Sequence, residues 1–370
     1  MVTINGKKFV LLSKALKPLP EKFHGLVDEE ARARHRYVDL IMNDESMKTF
    51  VLRAKIFQII REFMNSQGYL EVETPVLHPI LGGAAARPFI THHNTLDRNY
   101  YLRIATELPL KKLIAGGFDR VYEIGRIFRN EGMDATHNPE FTSMEAYAAY
   151  QNLDDMMDLA ENLFHYIADK IQCGKIEYKG AEIDLSKSFA RIRLIDSIKQ
   201  YAKVDFDSIQ SDEEAIKIAK EHHIELAAHE MKRGHIIAKF FEEYCEKQFI
   251  QPTIVYDYPI ENSPLAKKNQ KDPRMTRRFE LFICGKEYAN AFSELNDPID
   301  QYQRFESQLD EKEKGNDEAN EMDMDFIEAL EYGLPPTGGI GFGIDRLVML
   351  FTRKEVIRDV LLFPHMKDEK

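Results

Sequence analysis

Arg129, Glu131 and His137 stand in or beside a polar stretch, Asn130 to Pro139, that separates two β-rich runs, Arg120 to Arg129 and Glu140 to Tyr150. Arginine presents a rigid fork of donors that matches phosphate or carboxylate oxygens. In the second run, a period of two puts Phe141, Ser143, Glu145 and Tyr147 on one strand face. An aromatic ring, a carboxylate and a phenol on a common face suit a ligand with a flat ring and an amine. The bland alternative is a surface hairpin carrying exposed charges. A second group is Gly338-Gly339-Ile340-Gly341-Phe342-Gly343-Ile344-Asp345-Arg346. Its spacing is not that of a dinucleotide fingerprint. Glycines at 339, 341 and 343 strip one strand face of side chains, so a flat ligand could lie on the backbone. Arg346 falls in the first turn of the helix that follows, where unpaired N–H groups also favour anions. A third group pairs Glu280 with Glu287 around Gly285-Lys286, followed by Asn290, Phe292 and Glu294. Paired carboxylates on a rigid hairpin can hold Mg²⁺ against substrate phosphates. Simple alternation sends Glu287 to the face opposite Asn290, Phe292 and Glu294. A common site therefore predicts a β-bulge near Tyr288-Ala289.

The elements that must carry these groups are legible in outline. Met47, Phe50, Val51, Ala54, Phe57 and Ile60 recur at helical spacing after Asp44, a candidate N-cap, and Gly68 is a natural stop. A strand-like run, Tyr69 to Glu73, ends at Thr74-Pro75. Phe279 to Cys284 and Glu287 to Glu294 flank Gly285-Lys286 as a hairpin. Leu153 to Ile171 is helical, and Asp345 to Phe351 is an amphipathic helix behind the strand Gly338 to Ile344. Antiparallel strand pairs with helices grouped outside them indicate an α+β fold. We divide the chain into residues 1–43, a junction segment, and 44–370, the main domain, with a helical, charge-rich insertion at about 190–250.

The 370 residues carry 50 basic and 62 acidic side chains, a formal charge of −12, which excludes a surface that is wholly a nucleic-acid footprint. Hydrophobic residues at 44% provide for a sizeable core. Cys173, Cys245 and Cys284 form no CxxC pair, which excludes a zinc knuckle and a disulfide scaffold and points to a reducing compartment. No apolar run reaches the roughly 18 residues of a membrane span. A soluble, cytoplasmic protein with no membrane partner is expected.

Taken together, these segments resemble the catalytic domain of class II lysyl-tRNA synthetases. Gly68-Tyr69-Leu70-Glu71-Val72-Glu73-Thr74-Pro75 is similar to motif 1, and Phe128-Arg129-Asn130-Glu131-Gly132 through His137-Asn138-Pro139-Glu140-Phe141-Thr142 to motif 2. Gly341-Phe342-Gly343-Ile344-Asp345-Arg346 is similar to motif 3. The lysine subgroup is marked by Gly82 to Phe89, by Thr91-His92-His93-Asn94 and by Phe292-Ser293-Glu294-Leu295-Asn296-Asp297. The resemblance implies an antiparallel sheet flanked by helices, with a homodimer formed through motif 1. It implies ATP-dependent activation of L-lysine to lysyl-adenylate and transfer to the acceptor end of tRNA(Lys). Arg129 would bridge the ATP α-phosphate and the lysine carboxylate. Phe141 would stack on adenine, with Arg346 on its other face or on the terminal phosphate. Glu131, His137, Asn138 and Gly343 would hold the nucleotide, and Glu280 and Glu287 would bind Mg²⁺. The lysine pocket would draw on Gly83, Glu107, Arg129, Glu145, Tyr147, Asn290, Phe292 and Glu294, with Glu294 and Tyr147 at the ε-ammonium and Glu107 with the Gly83 backbone at the α-ammonium.

One departure lies at the front. The family carries an oligonucleotide-binding-fold anticodon domain before this core, and here Val2 to Lys14 could supply only its last strand. An interrupted junction, with weakened tRNA charging, is the expectation. The rivals are a lysine ligase acting on a protein such as elongation factor P, and a catalytically silent regulatory homologue. Glu221-His222-His223 with His229 reads as a solvated helix face rather than a zinc site. His92 and His93 read as loop anchors, Lys111-Lys112 as helix surface, Asp310 to Glu321 as a mobile surface loop, and Met144 and Phe282 as core.

Overall fold

A computed structural model of the chain describes residues 2–20, 26, 28–316 and 318–368. Its frame is an eight-stranded sheet built from β1 (Leu70–Glu71), β2 (Arg120–Phe128), β3 (Glu140–Ala149), β4 (Ala190–Arg193), β5 (Thr253–Pro259), β6 (Met275–Ile283), β7 (Lys286–Ser293) and β8 (Thr337–Gly343). The spatial order is β1-β2-β3-β8-β7-β6-β5-β4. Every central pairing is antiparallel, while β1 on β2 and β4 on β5 are parallel edge pairs. The fold is α+β, as the strand pairs indicated.

Helices Asp44–Ser66, Leu153–Lys170 and Ile344–Thr352 cover one face. Ile56, Ile60, Leu163, Phe164, Ile340, Phe342 and Leu347 meet there as the main core. Apolar side chains spaced three and four apart make one stripe of each helix bury against the sheet. Leu153–Lys170 starts cleanly because Asn152 and Asp155 form a capping box. The first long helix is different. Its N-cap is Asn43, not Asp44, and Asn43 makes no side-chain cap bond; its amide N–H donates instead to Asp39 Oδ1 at 2.7 Å.

Segment 190–250 opens with β4 and continues through helices Leu194–Tyr201, Asp212–Glu221 and Arg233–Tyr244. These close over the β5–β6 end of the sheet with a core of their own, including Leu194, Ile198, Phe240, Phe241, Tyr258 and Phe282. Met144 and Phe282 are core, as expected. His222 packs edge-on against Phe240 and Tyr244 and so lies against that core, not on a solvated face. Residues 2–20 are exposed and carry neither helix nor strand.

Two strand details position the site. The β6–β7 turn is Cys284-Gly285, not Gly285-Lys286, and both residues have positive φ, 49° and 66°. That is the backbone of a tight two-residue hairpin loop. Farther along, Leu281 pairs with Ala289 but Phe282 with Glu287, so Tyr288 is an extra residue in the ladder. This is the bulge that the pattern of carboxylates predicted. It drops Tyr288 into the main core and turns Glu287 to the face shared by Glu280 and Asn290.

Candidate active site

The sheet face opposite the main core lies under a cavity of about 640 Å³. Sheet register explains its floor. Glu145, Gly341, Asn290 and Glu280 are successive cross-strand partners, and so are Tyr147, Gly339, Phe292 and Arg278. Every site residue expected from sequence lines this cavity except Glu294, which is buried beneath it at 1% exposure.

The nucleotide end of the resemblance corresponds to an open, loop-bounded mouth. The loop after β2 is ordered from the backbone: Arg129 N–H donates to Pro139 O at 2.8 Å, and Asn130 N–H to Arg87 O at 2.8 Å. Asp134 Oδ1 accepts from Thr136 N–H at 2.6 Å and His137 N–H at 2.8 Å; partial burial raises its carboxyl, but the Thr136 N–H and the His137 side chain outweigh this and hold it at about 2. His137 Nδ1 lies 2.7 Å from Asp134, and its Nε2 lies 3.4 Å from Arg346 Nη2. The Arg129 guanidinium sits 5.2 Å above the Phe141 ring, and its Nε is buried with no hydrogen-bond partner among the described residues. Arg346 donates to Glu287 O at 2.8 Å and approaches the Glu287 carboxylate at 3.6 Å. Asp345 fixes that helix start by accepting from Thr142 N–H at 2.7 Å and pairing with Arg53 at 2.6 Å.

Glu280 is held from two sides. Its Oε1 pairs with Arg278 at 2.5 Å, and its Oε2 accepts from the Tyr258 hydroxyl at 2.9 Å. Burial, with Glu287 nearby, nonetheless pushes its carboxyl well above the usual range. A buried carboxylate beside a second one in a cavity wall is suited to a divalent cation, whose charge offsets the penalty of burying it.

The other end is closed and charged. Glu145 Oε1 accepts from Thr106 N–H at 3.0 Å, and its Oε2 from the Tyr147 hydroxyl at 3.1 Å. Burial, reinforced by the Glu107 charge, raises its carboxyl to about 7. Glu294 shares this environment, and burial pushes its carboxyl up strongly, opposed by Lys111. Its Oε1 has no hydrogen-bond partner among the described residues. A Cβ on Gly339 would lie 2.0 Å from that oxygen and 2.5 Å from the Tyr147 ring. The space freed by Gly339 is thus filled by the protein's own Glu294 and Tyr147, not reserved for a flat ligand. Gly83, with φ +91°, reaches the pocket as a backbone turn, and its N–H donates to Asn320 Oδ1 at 3.0 Å.

Three contributors were not anticipated. Lys111, expected at the helix surface, is wholly buried between Glu107, 2.5 Å away, and Glu294. Its only sequence signal was the four-residue spacing from Glu107. Arg278 donates to Asn290 Oδ1 at 3.0 Å as well as to Glu280, and stacks on Tyr258 and Phe292. Period two from Glu280 would have found it. Asn320 lies in the run read as a mobile surface loop. Glu311, Ala319 and Asn320 are in fact buried, with Asp317 outside the described residues. His92 and His93 anchor their hairpin as expected, through Asn99 Oδ1 and Leu96 N–H.

Comparison with known proteins gives the family. The family profile "tRNA synthetases class II (D, K and N)" matches residues 28–367. The chain is 67% identical to the lysine–tRNA ligase of Malacoplasma penetrans (strain HF-2) over 369 residues, covering 100% of the chain and 76% of that protein. It is 60% identical to the enzyme so named from Ureaplasma urealyticum serovar 10, covering 75% of it, and 59% identical to that of Staphylococcus epidermidis, covering 74%. An antiparallel sheet with an arginine-walled mouth, a paired-carboxylate hairpin and a match over nearly the whole length lead to one conclusion: the chain belongs to the class II tRNA synthetases of the D, K and N group.

Proposed function

We propose that the chain is an ATP-dependent lysine–tRNA ligase, activating L-lysine and transferring it to the 3′ end of tRNA. The observation that carries this reading is a pair of orphaned, oppositely charged atoms at the two ends of one cavity, Arg129 Nε at its mouth and Glu294 Oε1 beneath its closed end. A substrate with a carboxylate at one end and an ammonium at the other satisfies both. The relatives' full-chain identity favours tRNA over a protein acceptor.

In this reading the lysine carboxylate attacks the α-phosphorus of ATP and pyrophosphate leaves, so no proton has to be moved in the step. Arg129 lessens the repulsion between carboxylate and phosphate, and catalysis comes from positioning and charge stabilisation. Phe141 stacks on adenine, with Arg346 above it or on the terminal phosphate, while Glu131, His137, Asn138 and Gly343 hold the nucleotide. Glu280 and Glu287 hold Mg²⁺, which supplies neutralisation of phosphate charge. Glu107 with the Gly83 backbone takes the α-ammonium. Glu294 and Tyr147 take the ε-ammonium, with Glu145, Asn290 and Phe292 completing the pocket. The division at residue 44, with an insertion near 190–250, belongs to the same proposal. So does a homodimer through the motif 1 region, where Leu70, Val76 and Leu77 are exposed. Among the described residues no helix is long and apolar enough to cross a membrane, and we place the enzyme in the cytoplasm.

The test is ATP–pyrophosphate exchange over a panel of amino acids, with and without Mg²⁺, followed by transfer of labelled lysine to tRNA or elongation factor P. Mg²⁺-dependent exchange driven by lysine, with label on tRNA, is expected. A folded protein that exchanges with no amino acid would overturn the reading.

A further inference from the structure

We propose that Lys111 is a positioning residue that sets amino-acid specificity: its ammonium, clamped between Glu107 and Glu294, cancels one of three buried carboxylates and leaves the two negative charges that a diammonium substrate neutralises. This deepens the lysine reading and rests on it.

The geometry is particular. Helix Glu107–Ala115 presents Glu107 and Lys111 one turn apart on its inner face. The Lys111 side chain has no exposure, lies 2.5 Å from Glu107 Oε1 and touches Glu294 Oε2. Its neighbour Lys112 points outward to the exposed Asp325. A fully buried ammonium is costly unless paired, so this lysine is held where it is by its acids. The charged groups that act on it are Glu107 from its own helix and Glu294 just beyond β7; Glu145 and Tyr147 of β3 adjoin those two acids, and helix Met324–Glu331 presents the Phe326 ring at 5.8 Å. Once an arriving diammonium substrate has ionised all three carboxylates, the ammonium already in place leaves two charges to match, and the Glu107 and Glu294 carboxylates each keep one oxygen free of Lys111. Without Lys111, repulsion among Glu107, Glu145 and Glu294 would make the site hold its protons more tightly, and a Glu294 that stays protonated as substrate arrives no longer distinguishes an ammonium from a methyl group.

The experiment compares wild type with Lys111→Met, which keeps length and apolar stem but removes the charge. Exchange kinetics are read across pH with lysine and with norleucine. For the variant we expect a rise in KM for lysine with KM for ATP unchanged, a fall of at least about tenfold in lysine-over-norleucine preference, and an acid limb of kcat/KM displaced to higher pH. Lys111→Arg should keep the wild-type acid limb. If Lys111→Met does not fold, the double variant Lys111→Met, Glu107→Gln removes the pair as a neutral unit. It should retain the wild-type acid limb while KM for lysine rises. An unmoved pH profile and unmoved preference in Lys111→Met, or a displaced acid limb in the double variant, would overturn the proposal. Wild type that fails to exchange with lysine would instead overturn the reading beneath it.

Discussion

The two ends of the cavity hold charge in opposite ways. At the mouth, Arg346, Glu287 and His137 are partly exposed and meet at 3.4–3.6 Å across separate elements. At the closed end, Glu107, Lys111, Glu145 and Glu294 are all buried, and backbone or side-chain partners hold all four in place. Exposed charges are weakly coupled and screened, so a polyanion can enter and its product can leave. Buried charges interact strongly and make an unmatched ligand costly. Selectivity belongs where water is absent, and turnover where it is present.

That contrast can be broken from either end. Arg129→Ala, at the mouth, should lower adenylate formation by about 10²–10³-fold, as loss of a donor aimed at developing charge does. Steady-state exchange measures it, and near-normal activity would remove Arg129 from the mechanism. Glu294→Gln should cost about 2–5 kcal/mol in lysine kcat/KM, because the substrate ammonium then lacks its buried counter-charge. ATP KM should stay put. Gly339→Ala sharpens the point without touching a charge. Its Cβ would overlap Glu294 Oε1 and the Tyr147 ring, at a strain of roughly 1–3 kcal/mol. Lysine KM should rise in that variant while adenine nucleotide binding persists. At the open end, Glu287→Gln should raise the Mg²⁺ requirement by about tenfold or more and leave amino-acid preference intact.

How much of this was legible follows the same division. The mouth could be read from sequence, because Arg129, Phe141, Glu280, Glu287 and Arg346 stand in local runs whose period fixes their direction. Even the bulge at Tyr288 followed from requiring Glu287 and Asn290 to share a face. The closed end was harder. Lys111 next to Lys112 looks like a solvated helix pair, and only the partner Glu294, far along the chain, pulls one of them inward. Asn320 sits in an acidic run whose composition suggests a free loop, yet one hydrogen bond to Gly83 ties it to the pocket. Of the β8 glycines, Gly339 makes room for the protein itself rather than for a flat ligand, whereas Gly341 and Gly343 leave their side of the strand open to the cavity. Local pattern sets direction along an element, and tertiary pairing decides burial.

The smallest effect expected is on the empty protein. Glu145 is raised from an ordinary 4.5 to about 7 by burial. A carboxyl raised on folding contributes stability that is present below its unfolded pKa and lost as pH rises through its folded pKa. The melting temperature of the ligand-free enzyme should therefore drift down by a few degrees between about pH 5 and about pH 8. Lysine should offset the drift, and Glu145→Gln should flatten it.

The most direct test of a buried, charge-matched amino-acid end is the proton balance of lysine binding, measured by titration calorimetry in two buffers of different ionisation heat. If the closed end holds carboxylates that carry a proton when empty and give it up to solvent when an ammonium arrives beside them, lysine binding should release protons. The release should be largest near pH 6 and diminish towards about pH 8. Binding of lysine with no proton release anywhere in that interval would contradict the account.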